Sequence, residues 1–214
     1  MVQTVAVTKA ITSLREVQDL FDLHRTDDPQ FFTEWLTALP DLSHPEQVAL
    51  DRLKTRYFYY AEEGAITEGT IGLMILAPLL ELLGVCDPPD KIHSEKSVQV
   101  ELDDPDADEN LVLSGRIDAL VIQDSFWIAV IEAKRYGFNV SLAVPQLLTY
   151  MMGHPLPDRP LYGMVMNGED YLFVKLDLQQ RRYDLSDKLT LSRRRGNVLW
   201  EVVRVIKGLM GQNR

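Results

Sequence analysis

Residues 126–131, Phe-Trp-Ile-Ala-Val-Ile, are six consecutive apolar residues that end abruptly in Glu132-Ala133-Lys134. A strand alternates its side chains between two faces, so it can be apolar throughout only when both faces are covered. This run therefore predicts a central strand of an α/β fold with helices on both sides of the sheet. Glu132 and Lys134 are two apart and share one face at the strand's end. A carboxylate and an ammonium there are costly unless they pair or hold an ion.

The neighbouring patterns fit such a strand into a sheet. Runs 96–102, 111–121 and 126–134 read as three strands, joined by the acidic turn of residues 103–110 and by Gln123-Asp124-Ser125. They predict an antiparallel meander. Asp118 is the single acid in the apolar second half of the 111–121 run. If 124 faces 126 across the turn, 118 falls opposite 132, and two carboxylates converge beside a lysine. A helix is expected within 141–152, with Pro145 in its first turn. Strands 161–166 and 171–176 flank Asn167-Gly168, a strong hairpin signal, and 197–210 reads as a final apolar helix.

Upstream, apolar spacing predicts helices over 14–24, over 31–39 between Pro29 and Pro40, and over 43–64. The last has Ser43 as N-cap, Pro45 in its first turn and Glu46 placed for a capping box. An apolar helix over 67–84 contains Pro78, which should kink or divide it, and Gly84 suits its C-cap. The organisation expected is an N-terminal helical extension over 1–65, serving as a cover or a dimerisation element, a core over 66–180, and a basic C-terminal segment over 181–214 whose helix packs on the core.

Composition narrows the function classes. The 214 residues suit one domain. Cys86 is the only cysteine, which excludes a disulfide framework and a cysteine-rich metal site. No apolar run approaches the ~18–20 residues of a membrane span, and the first residues lack the pattern of a secretory leader. A cytoplasmic protein without a membrane partner is the expectation. A net charge of -10 argues against coating nucleic acid by charge alone. Residues 181–214, however, carry nine basic residues against three acidic ones, and Arg193, Arg194 and Arg195 are consecutive. These three are the candidate phosphate contacts.

Other chemistries fail on spacing. Residues 104–115 imitate a calcium loop but place Glu109 where glycine is required. His24, His44, His93 and His154 have no ligand spacing, no G-x-S-x-G elbow is present, and no G-x4-G-K-[ST] motif marks an ATPase.

The pattern Asp118 … Glu132-Ala133-Lys134 resembles the signature of the PD-(D/E)XK nuclease superfamily, with Ile117 in place of the motif's proline. Two further segments are similar to those of type I restriction motor subunits within that superfamily. Gln146-Leu-Leu-Thr-Tyr150 matches a Q-x3-Y motif on the following helix, and Glu68 with Pro78-Leu-Leu matches an E-x9-P-L-L segment. The resemblance spans roughly residues 67–176 and implies a restriction-endonuclease-like mixed sheet flanked by helices. It implies a Mg2+-dependent DNA nuclease, with Mn2+ as substitute. Asp118, Glu132 and the Ala133 carbonyl would bind the metal. Lys134 would position the water or stabilise charge, Glu68 would assist, and Gln146 and Tyr150 would support the site. Homodimers, or separate motor and specificity subunits, are the implied partners.

Taken singly, the same residues have ordinary roles: a strand-end ion pair, a first-turn glutamate on the helix dipole, a half-buried phenol. The alternative in another class is a noncatalytic nucleic-acid-binding or assembly module that keeps the fold.

Overall fold

The computed structural model describes residues 3–6, 11, 13–64, 66–88, 92–93, 97–102, 111–116, 119–122, 126–130, 139–153 and 159–211. In chain order the elements are β1 (Gln3–Ala6), α1 (Leu14–Phe21), β2 (His24–Arg25), α2 (His44–Ala61), α3 (Glu68–Ile71), a π-helical turn (Gly72–Leu76) and α4 (Ala77–Leu82). Then follow β3 (Ile92–His93), β4 (Ser97–Leu102), β5 (Leu111–Arg116), β6 (Ala119–Ile122), β7 (Phe126–Val130), a 3-10 turn (Val140–Ala143) and α5 (Val144–Met152). The chain finishes with β8 (Leu161–Met166), β9 (Asp170–Asp177), β10 (Arg182–Leu185), β11 (Leu189–Thr190) and α6 (Val198–Gly211).

The main sheet runs β2-β10-β9-β8-β7-β6-β3, with β11 on β9, and a three-stranded sheet runs β1-β5-β4. The fold is mixed α/β. The apolar run does form an interior strand, β7, antiparallel to β6 and parallel to β8. Parallel neighbours cannot be joined by a tight turn, and α5 lies in the crossover between them. The meander is interrupted, contrary to expectation: 111–121 is two strands in different sheets, β5 pairing with β4 and β6 with β7. Ser114, Gly115, Arg116 and Asp118 interrupt the apolar residues of this run, and such polar positions occur inside strands as well as between them, so they do not mark the division.

Alternation along β8 and β9 divides the core in two. Tyr162, Met164, Met166, Tyr171 and Phe173 pack with residues of α2, the segment 68–85 and α6. Leu161, Val165, Leu172, Val174 and Leu176 pack on the other face with α1, the 3-10 turn and α5. Gly163 belongs to this second face, where an added Cβ would stand 2.9 Å from Leu147 Cδ2 and 3.2 Å from Met151 Sδ. Lacking a side chain there, the strand lets the crossover helix approach closely.

The helical expectations hold in part. In α2 the Ser43 N–H donates to Glu46 Oε2 at 2.7 Å, and Pro45 occupies the first turn. Leu50, Leu53 and Tyr57 put this helix in the first core cluster, so residues within 1–65 are built into the main fold. The 67–84 helix is divided ahead of Pro78, as expected, by the π-helical turn. Proline has no N–H and its ring crowds the carbonyl four residues back, here Met74; Arg56 Nη1 donates to that carbonyl at 3.4 Å. The π turn is wider than an α turn, and Gly84 follows α4 at φ +70.

Residues 31–39 are not a helix. They form a series of turns in which Phe31 and Phe32 are buried and Glu34 reaches the sheet. The prolines bracket a helix-length segment, but its anchors are tertiary. The Phe31 carbonyl accepts from Lys175 Nζ at 2.5 Å, and Ala38 adopts φ +54, which interrupts helical continuation.

Candidate functional site

β7 and β8 run in register to Val130 opposite Met166, where β8 gives way to the hairpin turn into β9. Glu132, Ala133 and Lys134 follow Val130 in the chain by two, three and four residues, and they lie outside the described residues, as does Asp118. Ile122 faces Phe126 and Ala119 faces Ala129, so β6 is displaced by two residues from the expected register.

The turn at this edge is built by Asn167. Its Oδ1 accepts from the Glu169 N–H at 3.0 Å and the Asp170 N–H at 2.7 Å, and its own N–H donates to the Asp170 carbonyl at 3.2 Å. Gly168 takes φ +88, open to glycine without strain, so the two central residues are Gly168 and Glu169. A Cβ at Gly168 would stand 3.1 Å from Tyr57 Cε2 and 3.2 Å from Ile71 Cγ1. Ile71, the last residue of α3, and Tyr57, near the C-terminal end of α2, are thereby packed against the turn. Glu68, half-buried, is the first residue of α3; its N-cap, Thr67, accepts from the Thr70 N–H at 3.3 Å.

The arginine loop is tied to the same turn. The Leu191 N–H donates to the Glu169 carbonyl at 2.8 Å, and Lys54 of α2 donates to the Gly196 carbonyl at 2.7 Å. Arg193 Nη1 pairs with Glu201 Oε1 at 2.6 Å, while Arg194 and Arg195 are exposed. Most of the remaining basic C-terminal residues have intramolecular roles. Lys188 pairs with Asp170 at 3.0 Å, Arg204 donates to the carbonyls of Leu39 and Pro40, and Lys207 pairs with Glu46. Net positive charge along 181–214 thus overstates what is free to meet a polyanion.

Gln146 and Tyr150 lie one turn apart on α5 and share a face, as expected. Gln146 is half-buried and Tyr150 is buried within the second core cluster.

Sequence reasoning passed over one charged group. Lys175 of β9 is buried on the sheet, donating to Glu34 and to the Phe31 carbonyl, and Glu34 Oε1 also accepts from Tyr162 Oη at 2.9 Å. Burial, then the Glu34 carboxylate, pushes the Tyr162 hydroxyl well above the ordinary phenol range. A signal existed, a lone lysine inside the apolar run 171–176. Tyr162 pairs with Lys175 and with Phe126, so this cluster sits at the opposite end of β7 from Val130.

Cys86 is exposed, and desolvation first, then the Glu81 carboxylate, raises its thiol above the usual range, which lowers its thiolate fraction. Among the described residues, no three His, Cys, Asp or Glu side chains are grouped to hold a metal ion, and no helix is long and apolar enough to cross a membrane. No protein-family model matches the chain, and a search of curated proteins gives no match.

Proposed function

We propose that this chain is a Mg2+-dependent nuclease of the PD-(D/E)XK type, hydrolysing phosphodiester bonds in DNA within a restriction-endonuclease-like fold. One observation carries it: segments far apart in sequence meet at one sheet edge. The end of β7, the end of α3 at Ile71, three residues after Glu68, and the loop of Arg193–Arg195 all adjoin the Asn167–Asp170 turn.

Asp118, Glu132 and the Ala133 carbonyl are a hard-oxygen donor set that suits Mg2+, which keeps several of its waters. When bound, the ion would supply Lewis-acid stabilisation of charge on the phosphate. Lys134 orients the attacking water and stabilises charge on the nonbridging oxygens. Glu68 accepts a proton or holds a water beside the carboxylates, and Gln146 and Tyr150 hold the site's flank. Arg194 and Arg195 neutralise phosphates that the rest of a protein at -10 would repel.

Calorimetric titration with Mn2+, run beside thermal melts, tests this. Wild type should bind the ion and melt higher with it. Asp118→Asn should lose that binding, and it should raise the metal-free melting temperature by relieving carboxylate repulsion. Metal-dependent cleavage of DNA should accompany binding. DNA affinity with no metal response and no cleavage would leave the noncatalytic module as the function.

A further inference from the structure

The C-terminal end of α2, where Tyr57 meets Gly168, carries three consecutive aromatic residues turned outward. Phe58 is 37% exposed, Tyr59 66% and Tyr60 46%, and the Tyr59 and Tyr60 rings meet edge-on at 5.8 Å. Large exposed aromatics in a cluster are unusual on a surface with no partner. Their neighbours on the helix are basic. Arg52, Arg56 and Tyr60 follow one another at i, i+4 and i+8 and therefore form a single row, and Lys54 precedes Phe58 by the same step. Arg52 and Arg56 are exposed, Arg56 keeping one long bond from Nη1 to the Met74 carbonyl, and Lys54 is fastened to Gly196, next to Arg194 and Arg195. The carboxylates here are Asp51, bonded to Asn197, and the exposed Glu62 and Glu63 beyond Tyr60. Cations thus flank the aromatic end on the sides of Arg56 and of Arg194–Arg195, and anions lie past it.

Resting on the nuclease reading above, we propose that this aromatic end is a stacking platform for unpaired bases. The substrate is then DNA with a single-stranded segment, whose phosphates meet Arg56 on one side of α2 and Arg194 and Arg195 on the other. Aromatic faces accept bases only when those bases are unstacked from a duplex. Charge alone would serve paired and unpaired strands alike; the tyrosines give single strands the advantage. The platform adjoins the turn that borders the proposed catalytic edge, so a strand held there is presented to it.

Fluorescence anisotropy with a labelled oligo-dT of about twenty nucleotides and a blunt duplex of equal length, at one fixed salt, tests this. Wild type should prefer oligo-dT. Tyr59→Ala with Tyr60→Ala should weaken oligo-dT binding about tenfold or more and change duplex binding less than about twofold. Tyr59→Phe with Tyr60→Phe should bind like wild type, because stacking needs the ring and not the hydroxyl. Equal oligo-dT binding by the alanine variant, or a wild-type preference for duplex, overturns the proposal. So does an alanine variant that changes sedimentation from dimer to monomer and leaves DNA binding untouched, which would make the face a contact between copies. Tyrosine-dependent binding of oligo-dT without any cleavage overturns the catalytic reading and leaves the platform standing.

Discussion

The two ends of the main sheet are built differently. At the start of β7, Lys175, Glu34 and Tyr162 form a buried cluster under Phe31, and nearby Glu46–Lys207 and Arg204 with the Leu39 and Pro40 carbonyls fasten α6 to the N-terminal segment. These charges all have partners within the chain. At the other end, the Asn167–Asp170 turn is bordered by exposed Arg194 and Arg195 and by outward-facing aromatics. A closed end fixes the fold, and an open end keeps charges available to a ligand. Substitutions at the first should be felt in stability, and at the second in activity and binding.

Lys175→Ala should show the largest effect. It would strand the Glu34 carboxylate, whose Oε2 is already buried without a hydrogen-bond partner. Breaking one side of a buried pair costs about 3 kcal/mol or more, so denaturant unfolding should move by that amount. A negligible loss would mean that water reaches the cluster and that this end is not closed. Next is Lys134→Ala, for which cleavage should fall about a hundredfold, with little change in melting. A variant that unfolds instead would place Lys134 with the structural cations.

The closed end should also respond to pH. The bond from Lys207, then the bond from Ser43, lowers the Glu46 carboxyl from 4.5 to about 2. A carboxyl whose folded pKa is depressed contributes stability that is present above the unfolded value and lost as pH falls through the folded one. Between about pH 5 and pH 2 stability should fall as this group protonates, by on the order of 1 kcal/mol once solvent screening of the pair is allowed for. Glu46→Gln should flatten that part of the stability profile, and an unchanged profile would show the pair to be solvent-screened. The smallest effect on stability belongs to the open end. Arg194→Ala with Arg195→Ala should change stability by less than about 0.5 kcal/mol, yet reduce the salt slope of duplex binding by nearly two. Arg193→Ala, already paired with Glu201, should move the slope less.

This contrast also separates what the chain announces from what it conceals. The interior strand 126–130, the Ser43 and Glu46 capping box, the break ahead of Pro78 and the hairpin at Asn167-Gly168 are local patterns, and each is found where periodicity or turn chemistry puts it. The turns of 31–39 and the division of 111–121 depend on distant partners, Lys175 and two separate sheets, to which no local pattern refers. Of the candidate site, Glu68, Gln146 and Tyr150 lie on helices as expected, and the neutralisation of most cations in 181–214 required the folded chain. Asp118, Glu132 and Lys134 were legible as a pattern of sequence, and chemistry rather than geometry speaks for them.

The π-helical turn before Pro78 has a consequence in angular phase. Each residue advances a helix by about 100°, so a turn wider than the α spacing sets everything before it at a different azimuth from everything after it. Leu73, within that turn, is 79% exposed, whereas Leu79 and Leu80 beyond it are buried. Glu68 is therefore aimed by a rotation inserted between it and the residues that anchor α4. The segment works as a dial with a fixed offset: Leu79 and Leu80 on one side of the turn and Ile71 on the other are both in the core, and the angle between them depends on how many residues the turn contains.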